Sequence, residues 1–516
     1  MSVFADMIED AVVRHKANIA LIDTHANKSF SFTDMNSYFD KISHQVMASG
    51  LKAGDHAAIY QRNSYHWVAA EGGLAKQGIV IVPINIYLSG TEAAWVLDHS
   101  VSAAVFLDDE TAALLDGSAD KAIKPILRFN SESLSGISDE ADGDVVDFKT
   151  NLSINAASPY KIMYSSATTG VPKGIICPNG IMAGVVTGAL ANQLRDVESK
   201  DRLLIATPLT HVANSFFWAF FMRGASTVLM RRFDADEYCK QIIDNAVTHS
   251  FLVPTLLIDL INFLEENPGV VASLRSSSLR ALWYAGSPIP PATAKRAESL
   301  LGPILNQQYG LTELYSGFPA MACTELRSAW HSKKPGSCGR SVTGCVIRIE
   351  GDNGNLARPG EPGEVIIRLQ GAPAGYWSPP QSLHGAFRDG WIHTGDIGYL
   401  DEDEFLYVID RKNDMIISGG LNIYPAEVEA CIAEHPDVVQ SAVVGVSDDR
   451  WVEVPIAAVV RRSDGTVSEE ELIDFVRSKI AHYKCPKRIE FVEKLAVTSA
   501  GKVSRQKVRA ELLGEA

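Results

Sequence analysis

Apolar residues at helical spacing flank a short alternating stretch at residues 19–32, which predicts two amphipathic helices around a hairpin within residues 2–50. From His56 the period switches repeatedly. Residues 56–60, 78–83 and 103–107 are short β-type runs, and 64–77 and 90–100 between them have helical length and spacing. Such alternation with short connections predicts right-handed βαβ units on a parallel sheet. A polar, acidic segment at 131–155 interrupts the pattern and predicts a surface excursion. A run ending in Ile162-Met163-Tyr164 predicts a strand, and 175–190 predicts a helix. The alternation then resumes, with strands at 202–206, 226–230, 249–253 and 279–284 and helices at 211–222, 235–246 and 255–265. Two runs thus follow the same supersecondary logic without a residue-level repeat.

From Cys338 the texture changes to short β-type segments between Gly/Pro turns, at 346–350, 363–369, 398–400 and 405–409. These predict an antiparallel sheet or barrel-like lobe. A boundary is expected at 410–414, dividing a large domain, 1–410, from a small one, 411–516. The latter carries predicted helices at 425–435 and 468–481, a hairpin of 438–446 with 455–460, and a strand at 488–492. The expected fold class is α/β: two βαβ-type sheets and a barrel-like lobe, followed by a small mobile α+β domain.

Composition narrows the function classes. At 516 residues the chain exceeds one core. A net charge of −15 argues against a general nucleic-acid binder and against electrostatic membrane attachment, so an anionic ligand must meet local positive groups. The seven cysteines (177, 239, 323, 338, 345, 431, 485) form no CxxC pair and read as reduced thiols. The densest apolar run, 79–88, contains Pro83 and Asn85 and is too short to span a bilayer. A cytoplasmic protein is expected, with no transmembrane segment and no nucleic-acid partner; a homodimer is compatible with this reading.

The chemistry-bearing stretch is Ser165-Ser166-Ala167-Thr168-Thr169-Gly170-Val171-Pro172-Lys173-Gly174, between the predicted strand and the predicted helix. Hydroxyls, two glycines and a lysine suit a loop that wraps a polyphosphate, although GxxxxGK[ST] is absent from the chain. A solvated Ser/Thr-rich turn is the competing reading for that loop alone. Four more stretches matter: Gln308-Tyr309-Gly310-Leu311-Thr312-Glu313; Trp391-Ile392-His393-Thr394-Gly395-Asp396, an acid in an expected turn; Asp410-Arg411-Lys412-Asn413-Asp414 with Ser418-Gly419-Gly420; and Thr498-Ser499-Ala500-Gly501-Lys502. Each is weak singly.

In this order and over this length, the stretches resemble the adenylate-forming superfamily of acyl-CoA synthetases, firefly luciferase and nonribosomal adenylation domains, from about residue 20 to Arg509. The resemblance implies that Ser165, Thr168, Thr169, Gly170 and Lys173 hold the ATP phosphates. It places Tyr309, in Tyr309-Gly310, on adenine, Thr312 toward the phosphates, and Glu313 with Thr168 at magnesium. Gly286 and Ser287, in Ala285-Gly286-Ser287-Pro288, would border adenine and the acyl group. Asp396 and Arg411 would hold the ribose, Gly419 and Gly420 the pantetheine tunnel, and Lys502 would be the mobile catalytic lysine. Catalytic roles would fall to Lys502, Glu313, Thr168 and His211, with ATP, Mg²⁺ and coenzyme A as cofactor or substrates. Three departures stand out: Ala167 where the family loop has Gly, Asn413 at the hinge where Asp or Lys is usual, and Val497 before the lysine loop where proline is commoner.

His211 matches a histidine that borders the acyl pocket in CoA ligases; a satisfied helix-start histidine is the alternative. Phe216, Phe217, Trp218 and Phe220 follow it where amino-acid-adenylating domains carry an aspartate, which favours an uncharged fatty or aromatic acid unless the stripe is core. The expected activity is an AMP-forming acid–CoA ligase. The alternatives are an enzyme loading a carrier protein, a luciferase-type oxygenase and a nucleotide-binding regulator.

Overall fold

The structure, a computed structural model, describes all residues except 1–3, 118–125, 131–149, 152, 165–171, 317–322, 352–353, 370–374, 378–385, 413, 420, 449, 499–501 and 516. Its organising unit is a pair of seven-stranded sheets with helices between and outside them. One sheet runs Leu305–Gln307, Ala281–Tyr284, His249–Leu252, Arg202–Ile205, Ser226–Leu229, Ile19–Asp23, Lys28–Ser31, parallel except at the final hairpin strand. The other runs Tyr376–Trp377, Gly174–Pro178, Pro159–Tyr164, Val80–Pro83, His56–Tyr60, Ala104–Leu107, Leu127–Asn130. Its first two strands are antiparallel to their neighbours and the rest are parallel. A third sheet gathers Cys345–Glu350, Gly363–Leu369, Trp391–Leu400, Phe387–Arg388 and Leu406–Arg411, all antiparallel. A fourth contains Ile416–Ser418, Leu421–Ile423, Val438–Asp448, Val452–Arg461 and Ile489–Phe491. No described helix is long and apolar enough to cross a membrane.

The main core lies between the two large sheets. Helix Tyr65–Gln77 has every residue buried except His66, as its nearly all-round apolar sequence requires. Gly73 on that helix lets Ile42 approach; a Cβ there would meet Ile42 Cβ at 2.5 Å. The aromatic stripe of helix Val212–Met222 belongs to this core. Phe216, Phe217, Trp218 and Phe220 are fully buried, Phe216 packing on Phe251 at 5.1 Å and Trp218 on Phe4 at 5.4 Å. Packing alone accounts for the stripe, so it carries no information about the acyl group.

Two expectations are corrected. Residues 175–190 are not one helix: Gly174–Pro178 is a strand, and the helix is Asn179–Ala191. β-branched Ile175 and Ile176 pair back onto Met163 and Ile162, and Pro178 supplies the N-cap position of the helix. The described elements that flank the phosphate-loop candidate are therefore two antiparallel strands rather than a strand and a helix. Likewise Trp391 to Asp396 is not a free turn but lies inside the ten-residue strand Trp391–Leu400.

The strand leading into that hairpin is fixed by a buried polar network. Lys161 forms an ion pair with Glu71 and donates to Asn214 Oδ1 at 2.5 Å; Asn214 Nδ2 and Tyr160 OH donate to Glu71 at 2.6 and 2.7 Å. Glu71 is fully buried and Lys161 nearly so. Removing one partner strands a charge, while replacing both does not. Lys161→Met is expected to destabilise the protein by about 3–5 kcal/mol, and adding Glu71→Gln should recover most of the loss. Urea unfolding midpoints check this; equal midpoints for the single and double variants would contradict it.

Candidate active site

The strand Ala281–Tyr284 ends in Ala285-Gly286-Ser287-Pro288, where Gly286 has φ +107°. A Cβ on Gly286 would lie 3.1 Å from Lys502 Cε and 3.7 Å from its Nζ, so the lysine stem crosses bare backbone. Glycine meets both demands, the positive φ and the close approach. Lys502 comes from the far end of the chain. Val497 and Val503 form an antiparallel bridge, and the Thr498 N–H donates to the Lys502 carbonyl at 2.6 Å. The Lys502 N–H donates in turn to the Thr498 hydroxyl at 3.3 Å.

The lysine meets a group of charges from other elements. Burial and the Arg411 guanidinium pull its amine down to about 8, against the opposing pull of Asp396 and Glu313. Asp396 faces Arg411 across paired strands, with Arg411 Nε 3.3 Å from Oδ1. Tyr309 OH donates to Asp396 Oδ2 at 2.5 Å. Burial raises the Asp396 carboxyl above its ordinary range, and Arg411 and the Tyr309 bond oppose that rise. The strand bends here because Gly395 has φ +72°. The bend is pinned: Asp396 N–H donates to the Thr394 hydroxyl at 3.0 Å, which donates to Val365 O at 2.7 Å.

Glu313 lies on the short 3₁₀ turn Thr312–Ser316, immediately after Gly310 and Leu311, and accepts from Tyr376 OH at 3.1 Å. Tyr376 also pairs with Ile175, so one two-residue strand joins Glu313 to the strand that follows half-buried Lys173. A carboxylate beside a polyphosphate hairpin suits Mg²⁺, which takes oxygen ligands from one or two carboxylates and the substrate's phosphates. Ser165, Thr168, Thr169 and Gly170 lie outside the described residues, as do Gly420 and Asn413.

His211 precedes helix Val212–Met222, and Asn85 Nδ2 donates to its Nε2 at 3.0 Å. Burial and the nearby Lys502 charge bring its pKa to about 4, so the ring is neutral near pH 7. With Nε2 accepting, the ring proton resides on Nδ1.

One constellation therefore gathers Lys502, Gly286, Asp396, Arg411, Glu313, Tyr309 and His211. Gly419 is placed differently: its N–H donates to the Trp451 carbonyl at 2.7 Å, and a Cβ there would meet the Trp451 ring at 2.7 Å. Sequence reasoning missed Tyr376, which nothing in its neighbourhood signalled, and the role of Asn85. The latter had a signal: it is a polar residue inside the densest apolar run.

The AMP-binding enzyme family profile matches residues 8–377, and the AMP-binding enzyme C-terminal domain profile matches 427–502. The chain is 33% identical to a 2-succinylbenzoate–CoA ligase of Bacillus pumilus over 495 residues, covering 96% of this chain and 95% of that protein. It is 31% identical to the long-chain-fatty-acid–CoA ligase FadD13 of Mycobacterium tuberculosis over 498 residues, covering 95% of each. Its structure superposes on o-succinylbenzoate CoA synthetase (MenE) of Bacillus subtilis, in complex with the acyl-adenylate OSB-AMP, with TM-score 0.83 at 28% identity, covering 98% of this chain and 97% of that one. A further structure of that enzyme, TM-score 0.83, contains ATP and magnesium ion. With profiles matching most of its length and relatives above 30% identity over nearly all of it, this chain belongs to the AMP-binding, adenylate-forming enzyme family, in its CoA-ligase branch.

Proposed function

We propose that the protein is an ATP-dependent carboxylic acid:CoA ligase that forms an acyl-AMP with release of pyrophosphate, then transfers the acyl group to CoA with release of AMP. The carrying observation is the Lys502 ammonium laid over Gly286 beside Asp396 and Glu313. A carboxylate resists thiols because its charge repels them and oxide is a hopeless leaving group; joining it to AMP removes both obstacles. During attack on the α-phosphorus, charge builds on phosphate oxygens, so fixed cations and donors dominate catalysis.

In this reading the 165–174 stretch, Lys173 included, holds the triphosphate, with Ser165, Thr168, Thr169 and Gly170 as donors. Asp396, with Arg411 beside it, receives the ribose hydroxyls. Tyr309, Gly310, Gly286 and Ser287 border adenine, and Thr312 faces the phosphates. Glu313 and Thr168 would hold magnesium, which would neutralise phosphate charge when bound. Neutral His211 presents Nδ1–H at the acyl side. Gly419 and Gly420 serve the second half-reaction, lining the pantetheine path after the small domain turns about 410–414. A fatty or aromatic acid is the substrate class, as for the two curated relatives. Seven free, buried cysteines suit a reducing compartment, which supports a cytoplasmic location.

Incubation with ATP, Mg²⁺ and a panel of 2-succinylbenzoate, benzoate and long-chain fatty acids should release pyrophosphate, with thioester appearing only when CoA is added. Pyrophosphate exchange without thioester would instead favour carrier-protein loading, and no exchange with any acid would sink the ligase reading. Lys502→Ala should slow adenylation by about 10²–10³-fold while changing thioester formation from supplied acyl-AMP far less. Equal losses in both half-reactions would contradict domain rotation.

The lysine is charged below its pKa and neutral above it. Adenylation kcat/KM, which titrates the free enzyme, is therefore expected to fall as pH rises through about 8. Lys502→Arg should push that limb to higher pH, and an unmoved limb would assign it to another group.

A further inference from the structure

Arg505 lies three residues beyond Lys502, first in helix Arg505–Leu513 with Ser504 as N-cap. Its guanidinium holds three carboxylates. Nη1 donates to Asp410 Oδ1 at 2.6 Å and to Asp414 Oδ2 at 3.1 Å, while Nε and Nη2 grip Glu429 at 3.0 and 2.9 Å. Glu429 also accepts the Val443 N–H at 2.8 Å, which ties it to the fourth sheet.

The three acids differ in where they belong. Asp414, which closes the 410–414 segment, and Glu429 beyond it would travel with Arg505 in any turn of the small domain. Asp410 belongs to strand Leu406–Arg411 of the third sheet, paired opposite Ile397 and next to the Asp396–Arg411 pair. Its side chain is only 3% exposed. Its other oxygen, Oδ2, accepts the Ala426 N–H at 2.8 Å at the start of helix Pro425–Ile432. Asp410 is therefore the point where the ribose-side strand grips both the catalytic-lysine segment and the first helix beyond the boundary.

We propose that Asp410 and Arg505 are positioning residues for adenylation: their ion pair, closed across the 411–414 segment, holds Lys502 over Gly286. The inference rests on the ligase reading and on 410–414 as the pivot. A buried carboxylate that loses its guanidinium is left uncompensated, so the pair favours the arrangement in which it is closed. Burial and the Glu429 charge already push the Asp410 carboxyl up, with Arg505 opposing them. A second contact between the same parts, Arg462 Nη1 to Glu265 at 3.0 Å, is only half-buried on both sides, so losing it strands less charge than losing the Asp410 pair. In this proposal rotation opens the Asp410 pair while the Glu429 fork, with both partners beyond the boundary, stays intact, so Asp410 acts selectively on one half-reaction.

Asp410→Asn tests this, since it removes the charge but retains an oxygen for the Ala426 amide. With the best acid of the panel, adenylation should slow about ten- to hundredfold, and thioester formation from supplied acyl-AMP and CoA should be little changed. Unchanged adenylation, or equal loss in both half-reactions with a lowered unfolding midpoint, would overturn the proposal. If the wild type adenylates no acid, the ligase reading fails, and the clasp is still measurable without turnover. Spin labels at Lys295→Cys and Glu470→Cys, both exposed while the native cysteines are buried, report the spacing of the two parts. Asp410→Asn should broaden that distance distribution; an identical distribution would overturn the clasp.

Discussion

The ammonium of Lys502, drawn largely out of water, sets a constraint that several distant elements of the chain meet together. Taking such a charge from solvent costs several kcal/mol unless opposite charges and donors receive it. Lys502 is received by carboxylates from two other elements: Asp396 from the third sheet and Glu313 from the turn beyond the parallel-sheet strand Leu305–Gln307. Each acid is held by a tyrosine hydroxyl, Asp396 by Tyr309 and Glu313 by Tyr376. The bare backbone of Gly286 leaves the stem a path. Shifting any of these changes the balance between burial and countercharge, which explains why the amine settles near 8 rather than at its ordinary value.

Much of this was legible along the chain. Most of the parallel strands of both large sheets could be recognised from short apolar runs because such strands are covered on both faces, as Val80–Pro83 and Ala104–Leu107 are, with every residue buried. The helices between them announced themselves by length and spacing, and the structure adds caps such as Ser89 with Glu92. The residues gathered around Lys502 were nameable because their motifs, weak singly, together resemble those of a known family.

What was not legible depended on partners distant in sequence. Ile175 and Ile176 have an apolar context that suits a helix as well as a strand; only pairing with Met163 and Ile162 decides it. Asp396 sits in a motif that reads as a turn, because the pairing with Arg411 that draws it into a strand is supplied by another segment. The aromatic stripe after His211 resembled a pocket lining because burial in a core and burial against a ligand leave the same pattern. Asn85 and Tyr376 make their contacts across the fold, where periodicity carries no information.

The two-residue strand Tyr376–Trp377 bears on the order in which the molecule can be completed. It closes the edge of the second large sheet against Gly174–Pro178, and the Trp377 indole donates to the His99 carbonyl at 2.9 Å, 278 residues earlier. Contacts of such separation form late, because a long loop must close before they stabilise anything. On a ribosome, the hairpin that reads as the phosphate cradle would wait, with one edge open, until synthesis had passed the third sheet's first strands. Competence to bind nucleotide is thereby tied to near-completion of the large part of the chain, and a nascent chain released early would present an unpaired strand edge instead of a finished site.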